Sequence, residues 1–152
     1  MSALIVSEVA IPTSAAAVAS VTQLETLLSE QPQQQAETHH LIHGGMYCRT
    51  MVLYPQYLIT GALVKVSTTL IISGHVTVYI DEEPVTFNGY YVLPASAGRK
   101  QAILAHTESY LTMLVATDAT SVAEAEAYFT DEVDKLASHK DAAHNRVVVT
   151  GV

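Results

Sequence analysis

The sequence predicts a mainly β domain, an antiparallel barrel or sandwich, with one helix before it and one after it. Between residues 39 and 117, short runs of β-prone residues follow one another, separated by turn residues, and no helical pattern interrupts them. Strands at such close spacing favour antiparallel connections. The chain has 152 residues, which is enough for one such domain with a buried core.

The N-terminal region, residues 1–37, is predicted to hold an arm, a helix and a linker. Residues 1–12 are β-prone and suit an arm that pairs with another strand. A helix should begin at Thr13 or Ser14 and end before Pro32. Its apolar residues recur at helical spacing: Val18, Val21, Leu24, Leu27 and Leu28. The polar QPQQQAET that follows has no periodicity and is typical of a linker.

The barrel is assigned to residues 38–119. Its β-prone runs are, in order, HHLIHGGMYCRTMVL, QYLITG, ALVKVSTTLIISG, HVTVYIDEE, PVTFNG, YYVLPASAG, RKQAILAH and ESYLTMLVAT. In HVTVYIDEEPVTF two alternating strands flank a polar DEEP turn, which predicts a β-hairpin. The segment ITGALVKVSTTLIISG has a glycine near each end, a pattern typical of the corners of small barrels.

A second helix is predicted over residues 120–140. Thr120 or Ser121 can cap its first turn, and Glu124 lies at capping-box spacing from Ser121. Apolar residues then form one stripe: Val122, Ala125, Phe129, Val133 and Leu136. The tail, residues 141–152, ends in the β-prone NRVVVTGV. We expect it to add an edge strand to its own barrel or to another chain's.

The composition bears on the partners of this protein. Apolar residues make up 49% of the chain and charged residues only 14%, which predicts a homo-oligomer, a dimer or trimer, that covers apolar surface. The net charge is −8, and no basic cluster is longer than Arg99-Lys100. Nucleic acid and anionic membranes are therefore poor partners. No basic residue precedes the apolar N-terminal run, and Glu8 and Pro12 interrupt it, so we expect neither a signal peptide for secretion nor a membrane span.

Three histidines at the barrel entry, His39, His40 and His43, are the strongest metal-ligand candidates in the sequence. On a strand, His39 and His43 face one way and His40 the other, and Glu37 is the one carboxylate at ligand spacing. We therefore favour side chains that are hydrogen-bonded to the backbone. A metal shared between subunits is the alternative.

A second candidate pair is His106 and Glu108, two residues apart on a predicted strand and hence on the same face. Together with Tyr110 they could act as general acid and base. No nucleophile or cofactor motif accompanies them. A hydrogen-bonded pair at the barrel rim or at a subunit contact is therefore the preferred interpretation.

Two further pairs are candidates for ligand or interface contacts. Arg99 and Lys100 follow the small-residue turn ASAG and could hold an anion, although a solvated turn is the more common arrangement. Tyr90 and Tyr91 suit both sugar stacking and a protein interface, because the tyrosine ring is amphipathic.

Several short motifs follow one another in a defined order between residues 38 and 130. A His-x-x-x-Gly-x-Tyr-x-Arg strand is matched, with altered glycine spacing, by His40, Gly44 or Gly45, Tyr47 and Arg49. An Ile-Thr-Gly corner, a Ser-Gly-x-Val-Thr-Val strand and a Pro-x-x-x-Gly-x-Lys turn follow at residues 59–61, 73–78 and 94–100. In these motifs and their order, the chain resembles a family of small cupin-like proteins of tailed bacteriophages. The resemblance implies a cupin-type double-stranded β-helix, a jelly-roll barrel, with an N-terminal and a C-terminal helix.

The chain departs from metal-binding cupins where their ligands lie. It has Val64 and Thr68 at positions where relatives often carry histidines, and the third histidine would fall near Gln101. Valine cannot bind a metal, and threonine is a poor neutral ligand. The resemblance therefore implies a barrel without a metal or other cofactor.

Taken together, the resemblance and the missing ligands imply a non-catalytic structural or adaptor component of a virion. Head decoration, the neck, the tail and fibre attachment are all compatible, with the chain itself and other virion proteins as partners. The protein would be located in the particle, which assembles in the host cytoplasm. The alternatives are a cupin-class enzyme or a protein that binds a sugar or small acid, and a regulatory protein directed at the host.

Overall fold

The computed structural model describes residues 4–6, 14–31, 33, 36–80, 83–140 and 142–151. Its strands are β1 (Leu4–Val6), β2 (Glu37–His43), β3 (Met46–Leu53), β4 (Leu58–Thr60), β5 (Thr68–Ile80), β6 (Glu83–Ala95), β7 (Ala102–Ala105), β8 (Ser109–Ala116) and β9 (Asn145–Thr150). Its helices are α1 (Ala15–Ser29), α2 (Val122–Phe129) and α3 (Ala137–Lys140).

Two long strands, β5 and β6, connect the two halves of the barrel. They pair with each other along their whole length, and this pairing confirms the predicted hairpin. The first half of β5 also pairs with β8, and its second half pairs with β7. One sheet therefore continues through β8, β3, β2 and β9, and the other through β7 and β4. The predicted mainly β jelly-roll barrel with a helix on either side is confirmed.

The corner between the halves falls at two glycines that face each other. Gly74 of β5 pairs with Gly89 of β6, and their φ angles are 138° and 133°. A Cβ atom on Gly74 would overlap the side chain of Ser109 and approach its Cα to 2.8 Å. Glycine is required here because any side chain would both strain the backbone and collide with β8. The sequence runs that end at these glycines are therefore parts of continuous strands.

Helix α1 begins where the sequence predicts. Ser14 caps it by accepting a hydrogen bond from the Ala17 amide at 3.0 Å. Ala17 and Val21 are buried, whereas Leu27, a member of the predicted stripe, is 63% exposed. The helix contacts β4 of its own chain. Within the described ranges, no helix is both long enough and apolar enough to cross a membrane.

The predicted second helix over residues 120–140 is too long. Ser121 caps α2 as predicted, with the Glu124 amide at 3.2 Å. The helix ends at Phe129 because the residues after it bond to the loop at Leu63 instead: Thr130 Oγ1 donates to the Leu63 carbonyl (2.6 Å), and Glu132 Oε1 accepts from the Leu63 amide (2.7 Å).

After this break a 3-10 turn (Val133–Lys135) and α3 follow. Three residues of the predicted apolar stripe, Ala125, Phe129 and Leu136, are nevertheless buried against the barrel. The stripe therefore packs as predicted although the helix is interrupted.

Both terminal segments pair with the chain's own barrel. The tail forms β9, which runs parallel to β2, and β1 runs parallel to residues 90–92 of β6. Of the two positions predicted for the tail, the structure shows the one on its own sheet. Most of the predicted arm, residues 1–12, lies outside the described residues. Docking of these segments on other chains stays a prediction.

Candidate functional site

A cavity of about 1130 Å³ lies between the two sheets, at the junction of the two clusters of buried apolar side chains. Its apolar lining comes from five strands and three helices and includes Leu28, Met51, Ile59, Leu70, Ile103, Leu111 and Phe129. Cavities of roughly 300–1,000 Å³ are typical of sites for small molecules. The barrel therefore has room for a ligand.

Arg99 is a buried cation in the wall of this cavity, and it is only 4% exposed. Its guanidinium donates to three oxygens: Thr68 Oγ1 at 2.7 Å, the Ser96 carbonyl at 3.1 Å and the Ala95 carbonyl at 3.5 Å. None of these oxygens is charged. A buried charge normally has an opposite charge beside it, because desolvation of an isolated ion is costly.

The charge on Arg99 persists at neutral pH. Burial lowers the pKa of Arg99 to about 10, well above neutrality. The other two cations of the wall have carboxylate partners: Arg49 lies 3.3 Å from Glu126, and Lys135 lies 2.9 Å from Glu25. Among the cavity residues that the structure describes, Arg99 is thus the cation whose partners are all neutral.

Gln101 adds an unused hydrogen-bond donor to the same wall. It lies two residues after Arg99 and also lines the cavity. Its Nε2 is buried and finds no acceptor in the described part of the chain. An unsatisfied buried polar group costs about 1–3 kcal/mol. Gln101 therefore presents a buried donor in the same cavity wall as Arg99.

The positions at which the resemblance places metal ligands therefore surround Arg99. Val64 and Gln101 line the cavity, and Thr68 is the side-chain acceptor of Arg99. In residues 4–6, 14–31, 33, 36–80, 83–140 and 142–151 no three His, Cys, Asp or Glu side chains lie close enough together to hold a metal. At these positions the wall presents the buried cation of Arg99 and the amide of Gln101.

The expectation that Arg99 and Lys100 lie in a solvated turn is wrong. Lys100 is also 4% exposed, and its Nζ lies 3.1 Å from Glu25 and 2.9 Å from Glu132. Burial alone would raise the pKa of Glu132, but hydrogen bonds from Lys100 and Lys135 outweigh it and lower the pKa to about 2. Lys100 thus joins α1 to the barrel. The two residues are buried because α1 and the segment after α2 cover this turn.

A second buried polar cluster surrounds Arg49. The Arg49 guanidinium donates to Ser138 Oγ at 2.9 Å and to Glu126 Oε2 at 3.3 Å, and Ser138 also donates to Glu126 at 2.5 Å. Arg49 Nη1 also lies 3.4 Å from the Tyr47 hydroxyl. Each charge here has an opposite charge beside it. The cluster holds α2 and α3 on the sheet.

The cluster extends to the tail through His40. Its Nδ1 lies 2.6 Å from the Tyr47 hydroxyl, and its Nε2 lies 3.0 Å from Asn145 Oδ1 at the start of β9. Burial lowers the pKa of His40, so the neutral ring is favoured. Sequence reasoning missed Glu126, Ser138 and Asn145. The available signal was Glu126, a carboxylate that lies within the apolar stripe of its helix.

The three histidines of β2 do not share one site. His40 is buried, whereas His39 and His43 lie on the exposed face, as the strand alternation predicts. His39 contacts Glu37 at 3.0 Å, and His43 Nδ1 contacts the Thr150 carbonyl of β9 at 3.2 Å.

The predicted His106–Glu108 pair does not form. Both residues lie in the bend between β7 and β8 rather than on a strand, because β7 ends at Ala105. His106 Nε2 instead contacts Thr77 Oγ1 at 2.7 Å, and its ring centroid lies 4.5 Å from that of His75. Glu108 is exposed, and Tyr110 is 43% exposed at the start of β8.

The paired tyrosines lie outside the lining of the cavity. Tyr90 is exposed on β6. Tyr91 donates to the Asn88 carbonyl at 3.1 Å and packs edge-on against Phe87, with the ring centroids 5.0 Å apart. Tyr91 therefore has a structural role, and Tyr90 remains available for a surface contact.

Comparison with known proteins gives similarity to solved structures alone. No protein-family model matches the chain, and no curated protein sequence matches it. A cupin superfamily protein from Desulfitobacterium hafniense is 13% identical, with 60% of this chain and 88% of that chain covered and a TM-score of 0.46. The Schizosaccharomyces pombe Cnp3 cupin domain is 16% identical, with 60% and 72% covered and a TM-score of 0.46.

KdgF from Halomonas sp. is 10% identical, with 60% of this chain and 90% of that chain covered and a TM-score of 0.46. In this chain, β5 and β6 pair across both sheets, as in a jelly-roll barrel.

Proposed function

We propose that this protein is a non-catalytic structural or adaptor component of a tailed-bacteriophage particle. It would act in head decoration, the neck, the tail or fibre attachment, through self-association as a dimer or trimer and through contacts with neighbouring virion proteins. Its place would be the particle, assembled in the host cytoplasm. The sequence motifs that resemble the phage family support this origin.

The observation that carries the proposal is the outer edge of β9. This strand ends the sheet order, so its outer edge has no partner strand among the described residues. Val147, Val148 and Val149 are 52%, 55% and 42% exposed. Exposed β-branched edge strands readily pair with a strand of another chain. An added strand would bury these valines and satisfy the outer backbone groups.

A pair of proline variants tests this edge. Successive N–H groups of a strand point to opposite edges, so Val147→Pro and Val148→Pro remove one outward and one inward N–H. Proline is tolerated where the lost N–H faces outward. We expect one variant to melt like the wild type yet to lose self-association in light scattering and incorporation into particles. If the variant that melts like the wild type also assembles normally, β9 is not the contact.

The particle assignment has its own test. Mass spectrometry of purified particles should find the chain at a fixed copy number. Its presence in infected cells together with its absence from particles would contradict the virion proposal and favour a regulatory role directed at the host.

A second candidate function, the binding of a small molecule inside the barrel, is favoured by the cavity around Arg99. This candidate function has two alternatives, a cupin-class enzyme and a ligand-binding protein, and elemental analysis of protein purified without a histidine tag distinguishes them. One equivalent of a transition metal per chain would favour the enzyme. Binding of a small molecule by metal-free protein would favour the ligand-binding protein.

A further inference from the structure

We infer that the cavity binds a small carboxylate with an apolar body, and that Arg99 and Gln101 hold the carboxylate. This inference deepens the second candidate function and rests on it. It names the chemical class of the ligand and the two residues that select it.

The first step is the charge. Arg99 is buried, yet the three oxygens that accept its hydrogen bonds are all neutral. A bound anion would supply the opposite charge that the fold supplies to Arg49 and Lys100 through Glu126, Glu25 and Glu132. An anion that binds there gains a large electrostatic free energy, because the guanidinium has already been desolvated on folding.

The second step is the number of donors. A guanidinium carries five N–H groups, and the three hydrogen bonds of Arg99 leave two without an acceptor in the described part of the chain. Gln101 Nε2 is a further buried donor without an acceptor. A carboxylate offers two oxygens and about four acceptor positions, and arginine pairs with it in a planar, bidentate arrangement. Two residues on one wall of the cavity thus match one carboxylate.

The third step is the remainder of the ligand. The rest of the wall is dominated by aliphatic side chains, among them Leu58, Ile59, Leu70 and Met113. A volume of about 1130 Å³ exceeds what a single carboxylate group needs. Apolar ligand surface placed there is removed from water, and this removal strengthens binding. The site therefore favours a monocarboxylate with a hydrocarbon body over an inorganic anion such as phosphate.

Calorimetric titration of the full-length protein at pH 7.5 tests the inference with three probes: octanoate, octan-1-ol and inorganic phosphate. Octanoate should bind at least about ten-fold more tightly than octan-1-ol, because a hydrogen bond to a charged group is worth about 1.5–3 kcal/mol. Phosphate should bind more weakly than octanoate. Arg99→Met should reduce the affinity for octanoate to that for octan-1-ol.

Two further variants complete the design. Lys65→Met removes a cation that pairs with Asp131 outside the cavity lining, and it should leave the affinity for octanoate unchanged. Gln101→Leu should weaken octanoate several-fold without affecting octan-1-ol. If Arg99→Met does not fold, two measurements still test the inference. One is the ratio of the affinities of the wild type for octanoate and octan-1-ol, and the other is the affinity of Gln101→Leu for octanoate.

The outcomes are distinct. Equal affinities for octanoate and octan-1-ol would overturn the inference and leave small-molecule binding intact. Tighter binding of phosphate than of octanoate would overturn the apolar class of ligand. The absence of binding by all three probes would overturn both the inference and the second candidate function, and it would leave the virion proposal untouched.

Discussion

The two buried arginines of this barrel differ in how their charges are compensated. Arg49 lies 3.3 Å from Glu126 and 2.9 Å from Ser138, in a cluster that joins two helices to the sheet. Arg99 is equally buried, but its acceptors are a threonine hydroxyl and two carbonyls. The comparison separates a cation whose partner is part of the fold from one whose partner has to come from outside. Substitutions should therefore affect stability at the first site and ligand binding at the second.

The largest expected effect is at Glu126. Glu126→Gln leaves the Arg49 charge buried without a counterion, and breaking a buried pair in this way costs about 3–5 kcal/mol of unfolding free energy. Urea denaturation measures the loss. The matched control is Glu83→Gln, an exposed carboxylate, for which we expect a change within about 0.5 kcal/mol. A loss below 1 kcal/mol for Glu126→Gln would remove the distinction between the two arginines.

A smaller effect is expected at Lys100, the neighbour of Arg99. Lys100→Met leaves Glu25 and Glu132 close together, but Lys135 still contacts both at 2.9 and 2.7 Å. The remaining cation limits the expected loss of unfolding free energy to about 2 kcal/mol, below that of a fully stranded charge. The same denaturation series measures it. A loss as large as that of Glu126→Gln would show that Lys135 does not compensate.

The cluster around Arg49 should also respond to pH through His40. Burial lowers the pKa of His40 in the folded protein below its ordinary value of 6.5, so the unfolded chain binds the proton first. The stability that depends on neutral His40 is present above pH 6.5 and is lost as the pH falls towards the folded pKa, with a slope of at most about 1.4 kcal/mol per pH unit.

His40→Gln should remove this part of the slope between pH 7.5 and pH 5, as followed by urea denaturation at each pH. His39→Gln, on the exposed face of the same strand, is the control and should retain the slope. An unchanged slope in His40→Gln would mean that other groups produce the pH dependence.

The smallest effect on stability is expected at Arg99 itself. Arg99→Met removes a buried charge together with its hydrogen bonds to neutral oxygens, and it leaves no opposite charge unpaired. The variant loses these hydrogen bonds but no longer has to desolvate a charge on folding, and the two effects largely offset each other. We therefore expect the free energy of unfolding to change by less than about 1.5 kcal/mol. Differential scanning calorimetry without ligand measures it. A loss like that of Glu126→Gln would show that Arg99 serves the fold rather than a ligand.

The barrel could be predicted from the sequence because the patterns that indicate its strands and turns each involve residues that are close together in the chain. Strand alternation and the caps Ser14 and Ser121 depend on neighbours within a few positions, and the structure contains both caps and the predicted pairing of β5 with β6. The length of the second helix could not be predicted in this way. Its end depends on bonds from Thr130 and Glu132 to Leu63, which lies far away in the sequence.

The candidate site was predicted only in part for the same reason. The sequence identified Arg99 and Lys100 as possible anion ligands, but their burial depends on α1 and on the segment after α2. Because both residues are cations next to each other, no local pattern shows that Lys100 has two carboxylate partners and Arg99 none. The departure from metal-binding cupins at Gln101 was visible, whereas its unpaired amide became apparent in the structure.

The most direct test of the difference between the arginines is nuclear magnetic resonance of their side chains. The Nε–Hε resonances of Arg49 and Arg99 would be followed in ¹⁵N-labelled protein as octanoate is added. We predict that the Arg99 resonance shifts and saturates while the Arg49 resonance stays in place, because Glu126 already occupies its guanidinium. An Arg99 resonance that does not move, or equal shifts of both resonances, would contradict the account.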